Sequence, residues 1–305
     1  MMQVLPKILV TGCGGMLGEA VYNHFKNRAR VIATDKNVNE PWLHNLDVTD
    51  YASVREFVYR VNPDYIFHLA ALTDMEYCEK NHLDAYKTNA IGSENIALLC
   101  KKLDIPMIYI STAGVFDGKK EVYEDYDVPN PLSIYGKSKY AGECSVKSIL
   151  SKYFVFRPGW MIGGGPDKDK KFINKIIKQI RDGKKVLHVV DDKMGSPTYT
   201  YDLARIIEKV IFTCPYGAYN AVCEGGGSRY DIAKEILRIK GLDKKIKVKK
   251  VSSQELKKYI KEDYFAPRPY SEQMVNIKLQ IRGVDIPRHW KICLQEYMEK
   301  FDWGI

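Results

Sequence analysis

Thr11-Gly12-Cys13-Gly14-Gly15-Met16-Leu17-Gly18 decides the fold. It follows Lys7-Ile8-Leu9-Val10, an apolar run long enough for a buried strand. It precedes Glu19-Ala20-Val21-Tyr22-Asn23-His24-Phe25, whose apolar residues recur at helical spacing. A strand, a glycine turn and a helix make a cradle for phosphate. Gly12 supplies the tight turn, Gly15 room for a backbone to approach a pyrophosphate, and Gly18 close packing of helix on strand. The free N–H groups at the helix start then face the anion.

Arg30-Val31-Ile32-Ala33-Thr34 reads as a second strand ending at Asp35, which falls 17 residues beyond Gly18. That is near the spacing at which an acid accepts hydrogen bonds from an adenosine ribose. An Asp there repels a 2′-phosphate and favours NAD, whereas Lys36 beside it can neutralise one, so NADP stays open. Asp47 is expected at the end of a third strand, near an adenine, and Asp50 or Thr49 starts the helix from Ala52 to Val61. Asp64 to Ala71 is the fourth strand; Ala70 and Ala71 are small enough to leave a crevice for a cofactor. His68 inside that run reads as a core histidine. A helix from Asp84 to Cys100 and a strand from Pro106 to Thr112 continue the alternation.

Strands alternating with helices predict an α/β fold, a Rossmann-like doubly wound parallel sheet. Past Pro158 the alternation loosens. Lys171–Ile180 and Thr200–Phe212 are expected helices, Gly217–Val222 a strand, and Ser228-Arg229-Tyr230-Asp231 a capping box. Lys244–Lys250 suits an exposed strand with a solvated lysine face. Gly163–Asp167 and Glu224–Gly227 read either as edges of a substrate cleft or as ordinary loops. The expected division is a dinucleotide-binding domain over 1–157 and a smaller, mainly substrate-binding lobe over 158–305, with the chain crossing back to the first domain.

Chemistry enters at the fifth strand. It ends in Ser111-Thr112, and 23 residues after Thr112 comes Tyr135-Gly136-Lys137-Ser138-Lys139. Tyr135 and Lys139 are four apart on a helix and share a face. Tyr22 and Lys26 have the same spacing, but only the second pair follows a strand-end hydroxyl at the carboxyl edge of the sheet. Reduction of a carbonyl by hydride needs an acid for the alkoxide. A free tyrosine titrates near pH 10, so a neighbouring ammonium is expected to bring Tyr135 towards working pH. Thr112 is placed to hold the same carbonyl oxygen.

Composition excludes other classes. The chain of 305 residues is 45% hydrophobic, enough for a substantial core, and has no apolar stretch long enough for a membrane span. Met1-Met2-Gln3-Val4-Leu5-Pro6 has no signal-peptide pattern, so a cytoplasmic location is expected. The seven cysteines are scattered and never spaced Cys-x-x-Cys, which argues against a disulfide framework and against a metal site. A net charge of +9 comes without any nucleic-acid module, and suits attraction of anionic small molecules such as nucleotide diphosphates.

The sequence resembles the extended short-chain dehydrogenase/reductase family, through its Thr-Gly-x-x-Gly-x-x-Gly turn at Thr11–Gly18 and its Tyr-x-x-x-Lys at Tyr135–Lys139. Within it, the likeness is to the dTDP-4-dehydrorhamnose reductases. Ser111-Thr112-Ala113-Gly114-Val115-Phe116-Asp117-Gly118, Tyr135–Glu143, Arg157-Pro158-Gly159-Trp160, Gly195–Thr200, Pro267-Arg268-Pro269 and Ile286-Pro287-Arg288-His289-Trp290 carry it. The resemblance implies NAD(H) or NADP(H) as cofactor, held by Gly12, Gly15, Met16, Leu17, Gly18, Asp35, Lys36, Asp47, Val48, Ala70, Ala71, Ile110, Tyr135 and Lys139. It implies a nucleotide-diphosphate sugar as substrate, met by Thr112, Ala113, Trp160, Ser196 and Arg268, and leaves a homodimer open. The family's Asp-Tyr after the catalytic Thr is replaced by Ala113-Gly114, a departure that touches the choice of sugar. Three functions follow from the resemblance: a 4-keto-6-deoxy sugar reductase, a nucleotide-sugar 4-epimerase with the same triad, and a cofactor-binding regulatory subunit.

Overall fold

The computed structural model describes residues 5–260, 265–284 and 288–305; the readings made on Met1–Val4 and on Ile286-Pro287 lie outside these residues. Five strands come in the expected order: β1 (Lys7–Thr11), β2 (Arg30–Asp35), β3 (Leu43–Asn45), β4 (Tyr65–His68) and β5 (Met107–Ile110). With Tyr153–Arg157 and Gly217–Asn220 they form a seven-stranded sheet ordered Gly217–Asn220, Tyr153–Arg157, β5, β4, β1, β2, β3. Every pairing in it is parallel. The order turns back between β1 and β4, and that switch point is where an open parallel sheet leaves a crevice beyond its strand ends.

Buried strands need apolar cover on both faces. On one face α1 (Met16–Phe25) packs Leu17, Val21 and Phe25 against Val10, Phe67 and Ile108, with Leu203, Ile207 and Val210 of the helix Thr200–Thr213 alongside. On the other, Leu9, Ile66, Met107 and Val155 meet Val54, Val58, Ile96 and Leu99. Burying each such side chain contributes about 1.5–3 kcal/mol. His68 is wholly buried, with Nδ1 at 2.7 Å from Thr11 Oγ1 and Nε2 at 3.1 Å from Ser93 Oγ. Burial and the charge of Lys139 push its pKa down to about 3, which keeps it neutral in the core.

The expected single helix from Asp84 is broken. His82–Tyr86 is followed by a π-turn at Lys87–Ile91 and a further helix at Gly92–Leu103. The wider turn carries Asn89, whose amide accepts from Leu72 N–H at 2.8 Å and donates to Leu72 O at 3.0 Å and to Ser138 Oγ at 2.9 Å. A periodicity count cannot see this widening, which places one buried amide between the crevice wall and the helix Ile134–Ile149.

Beyond the sheet, Gly227–Ser228, Met194–Gly195, Ser271–Met274 and Val122–Tyr123 form a four-stranded sheet. A separate core holds Ile173, Ile177, Leu187, Ile236, Trp290 and Tyr297. Lys247–Val251 pairs in parallel with Val186–Val190 and leaves its lysines outward; Ser228 and Asp231 form the expected capping box. Gly164 and Gly165 turn into a short helix, Gly165–Lys168, packed near Met16 and Phe301, while Gly227 enters the four-stranded sheet. The chain leaves the main sheet after Arg157 and returns to it with Thr200–Thr213 and Gly217–Asn220, and again with Leu279.

Candidate active site

The glycine turn is shaped by contact. Gly12 has φ +70°, and a Cβ there would run into the backbone of Ala70, so the turn rests directly on the end of the β4 segment. Gly18 leaves no space beside the Cys13 carbonyl, which brings α1 onto the strand. Gly15 differs. A Cβ there would meet only Gly12 O, at 3.6 Å, and the residue is exposed. Gly15 is also the helix N-cap and no side chain caps the helix start. Open space, unspent N–H groups and a positive helix end together fit a pyrophosphate.

Around this cradle lie most of the residues assigned to the cofactor. Asp35 accepts from Gly14 N–H at 2.9 Å and Asn37 N–H at 3.0 Å, so its carboxylate braces the turn from the end of β2. Lys36 is paired with Asp47 at 2.9 Å, joining the two groups expected on either side of an adenosine. Met16, Ala70 and Ala71 are partly exposed, while Leu17, Val48 and Ile110 are nearly buried, Leu17 within the core under α1.

The catalytic trio meets at the carboxyl end of β5. Ser133 caps the helix Ile134–Ile149 by accepting from Gly136 N–H at 3.1 Å, and Tyr109 Oη of β5 donates to Lys139 O at 3.0 Å. Gly136 lets the helix touch the Gly114 carbonyl, where a Cβ would clash. The hydroxyl of Thr112 then lies close enough to that of Tyr135 to favour its ionised form. Thr112 Oγ1 also accepts from Gly114 N–H at 3.1 Å. One turn on, Lys139 is 2% exposed, its ammonium 4.3 Å from the centre of the Tyr109 ring.

The electrostatics correct one expectation. Burial pushes Tyr135 up to about 12, with the nearby Thr112 hydroxyl working against it and the charge of Glu272 adding to it. Lys139 is pushed down to about 7 by burial, opposed by the charge of Glu143. A dry site penalises both ionic forms, so a four-residue spacing alone does not give a phenolate beside an ammonium. Tyr135 stands in its acid form. Beneath it, Glu143 is fully buried and accepts from Ser111 Oγ at 2.7 Å, Arg157 at 2.5 and 3.2 Å, and Lys147 at 2.7 Å.

On the substrate side, Trp160 is partly exposed, with the Arg229 guanidinium 3.8 Å above its ring and its indole N–H donating to Glu272 Oε2 at 2.7 Å. Two assignments need correction. Ala113 is 2% exposed and its methyl lies among Val115, Phe116, Val222 and Met274; the open position is Gly114. Ser196 is 1% exposed and its hydroxyl is spent on Met274, accepting from N–H at 3.0 Å and donating to O at 3.2 Å. Arg268 is paired with Glu76 at 2.7 Å. Glu272 escaped the sequence reading, since Ser271–Met274 carries no motif that points to it.

The scattered cysteines are all free thiols, yet Cys223 and Cys293 come within 3.7 Å beside Asp202. Asp202 is already paired with Arg205 and Arg288.

The sequence model of the family described as RmlD substrate binding domain matches residues 6–303. The chain belongs to this family. It is similar to the spore coat polysaccharide biosynthesis protein SpsK of Bacillus subtilis, 33% identical over 97% of this chain and 98% of that protein. A solved dTDP-4-dehydrorhamnose reductase of Clostridium acetobutylicum superposes with a TM-score of 0.86 at 35% identity, over 96% of this chain and 99% of that one. Another, from Bacillus anthracis and in complex with NADP, does so with a TM-score of 0.88 at 31% identity, over 97% and 100%. Membership of the RmlD family and this full-length likeness make the chain a Rossmann-like α/β protein of the sugar-nucleotide reductases. No helix among the described residues is long and apolar enough to cross a membrane.

Proposed function

We propose that the chain is an NAD(P)H-dependent reductase of a 4-keto-6-deoxy sugar linked to a nucleotide diphosphate. The observation that carries this is the meeting of Thr112 and Tyr135, one helical turn from Lys139, at the sheet edge that also holds an open phosphate cradle. When bound, the dihydronicotinamide supplies the hydride. Thr112 and Tyr135 hold the sugar carbonyl oxygen between their hydroxyls, and Tyr135 gives its proton to that oxygen as negative charge develops. A tyrosine held up at about 12 stays protonated at every working pH, as an acid in the reducing direction must. The ammonium of Lys139 then stabilises the phenolate left behind.

Residues Gly12, Gly15, Met16, Leu17, Gly18, Asp35, Lys36, Asp47, Val48, Ala70, Ala71 and Ile110 hold the cofactor in this reading. Its adenosine end is taken by either NADH or NADPH: Asp35 suits a free ribose hydroxyl, and Lys36, held by Asp47, is the cation able to meet a 2′-phosphate. Trp160 and Arg268 line the substrate cleft. Residues 1–157 serve mainly the cofactor and 158–305 mainly the sugar nucleotide. The working form is a cytoplasmic homodimer.

The test follows absorbance at 340 nm with NADH and with NADPH on a dTDP-4-keto-6-deoxyhexose, for wild type and Tyr135→Phe. Stoichiometric oxidation by wild type, reduced roughly 10²–10⁴-fold in the variant, is expected. Tight cofactor binding with no oxidation of either nucleotide overturns the reading in favour of an epimerase or a regulatory subunit.

A further inference from the structure

Glu272 lies in the strand Ser271–Met274, between Met194–Gly195 and Val122–Tyr123. It is only partly exposed, and its two oxygens have different surroundings. Oε2 accepts the Trp160 indole N–H at 2.7 Å. Among the described residues that is the one hydrogen bond the carboxylate receives. Oε1 is 3.5 Å from the point where a Cβ on Gly114 would lie, and Thr112 Oγ1 is 3.5 Å from the same point. Those two oxygens are therefore no further apart than twice that distance, facing one small space that Gly114 leaves empty.

No acid on the neighbouring loop competes for this role. Ala113 is in the core, and Asp117 is taken up by Tyr123 Oη at 2.7 Å and Asn130 Nδ2 at 2.9 Å. Burial raises the Glu272 pKa above the ordinary carboxylate value, and the Trp160 hydrogen bond with the charges of Arg229, Arg268 and Lys193 offsets only part of that rise; in either protonation state the carboxyl keeps an oxygen able to accept. A carboxyl that shares this space with the Thr112 hydroxyl, with one oxygen spent on a tryptophan and the other open, fits a donor next to the carbonyl.

Resting on the function proposed above, we propose that Glu272 is a specificity-determining residue: its Oε1 accepts a hydrogen bond from the sugar hydroxyl adjacent to the carbonyl that is reduced. In a 4-keto-6-deoxyhexose that hydroxyl is on C3, because C5, the other neighbour of the carbonyl, carries the ring oxygen and a methyl group but no hydroxyl. Thr112 and Tyr135 fix the carbonyl oxygen, and Glu272 fixes which vicinal hydroxyl sits beside it. A hydrogen bond to such an acceptor gives discrimination of roughly 10- to 100-fold.

The experiment compares kcat/KM, KM and kcat for a dTDP-4-keto-6-deoxyhexose and its 3-deoxy analogue, with wild type, Glu272→Ala and Glu272→Gln. Cofactor binding and thermal melting confirm that each variant is folded. Wild type should prefer the 3-hydroxy substrate by at least about tenfold. Glu272→Ala should bring that ratio close to one, mostly by loss on the hydroxylated substrate. Glu272→Gln still offers Trp160 an acceptor and should lie between them. If both substrates lose equally in Glu272→Ala and Glu272→Gln restores both, Glu272 only positions Trp160 and the proposal is overturned. If wild type does not discriminate, it is overturned as well. Should wild type turn over neither sugar while binding cofactor, the functional reading itself fails and the proposal falls with it.

Discussion

Replacing Glu143 by Gln separates stability from chemistry in one step. Its carboxylate is fully buried, and it accepts from Arg157, Lys147 and Ser111, the residue before Thr112. The variant keeps the shape but leaves a buried guanidinium without its counter-charge, a loss of about 3–5 kcal/mol. For a chain of this size that corresponds to a fall in Tm of roughly 5–8 °C at neutral pH. Burial raises the Glu143 pKa, but Arg157 and Lys147 lower it by more, and the net position is below the ordinary carboxylate value. Its stabilisation is therefore present above the unfolded value of about 4.3 and disappears as pH falls through the folded one. Melting curves of the two proteins should converge in acid. The same charge supports the Lys139 ammonium, which burial has pushed down to about 7, so Glu143→Gln should move the descending limb of kcat/KM against pH to lower values. Differential scanning fluorimetry across pH and a pH–rate profile make both measurements. A variant as stable as wild type at neutral pH, or one with an unmoved limb, refutes the reasoning.

Lys139→Met should remove that limb altogether, because the ammonium form that it reports is lost as pH rises through about 7. Gly15→Ala should fold normally, since its methyl meets only Gly12 O at 3.6 Å, yet weaken NADPH binding at least about tenfold, as titration by protein fluorescence would show. Gly18→Ala should instead lower Tm, because its methyl has no space beside Cys13. Thr112→Val should lower kcat by roughly 10²–10³-fold with cofactor affinity unchanged, measured at 340 nm.

Thr11–Gly18 could be read from sequence because a turn, a close approach and a helix start are local demands, each met by one residue type. The strands were legible for a similar reason: buried on both faces, they show as short apolar runs. Asn89 was not legible, because a π-turn shifts the helical ladder without changing the residue pattern. Nor was Glu272, which reaches Trp160 only through pairing of Ser271–Met274 with Met194–Gly195. Tyr135 and Lys139 were identifiable by spacing and position, while their ionisation follows from how dry the fold leaves them. Cys223 and Cys293 look unrelated along the chain and meet only when Pro197–Tyr199 and the helix Trp290–Lys300 pack together.

The return of the chain to the main sheet bears on how such proteins can be built and varied. The helix Thr200–Thr213 and the edge strand Gly217–Asn220 complete a core begun by β1 and α1, from within sequence that otherwise surrounds the sugar site. A fragment ending at Arg157 would expose Val10, Val21 and Phe25 to water and leave the Tyr153–Arg157 strand as a bare edge, an invitation to aggregate. Transplanting a sugar-binding half between relatives therefore needs matched splices at each crossing, and a protease nick near Arg157 should leave two pieces that remain associated.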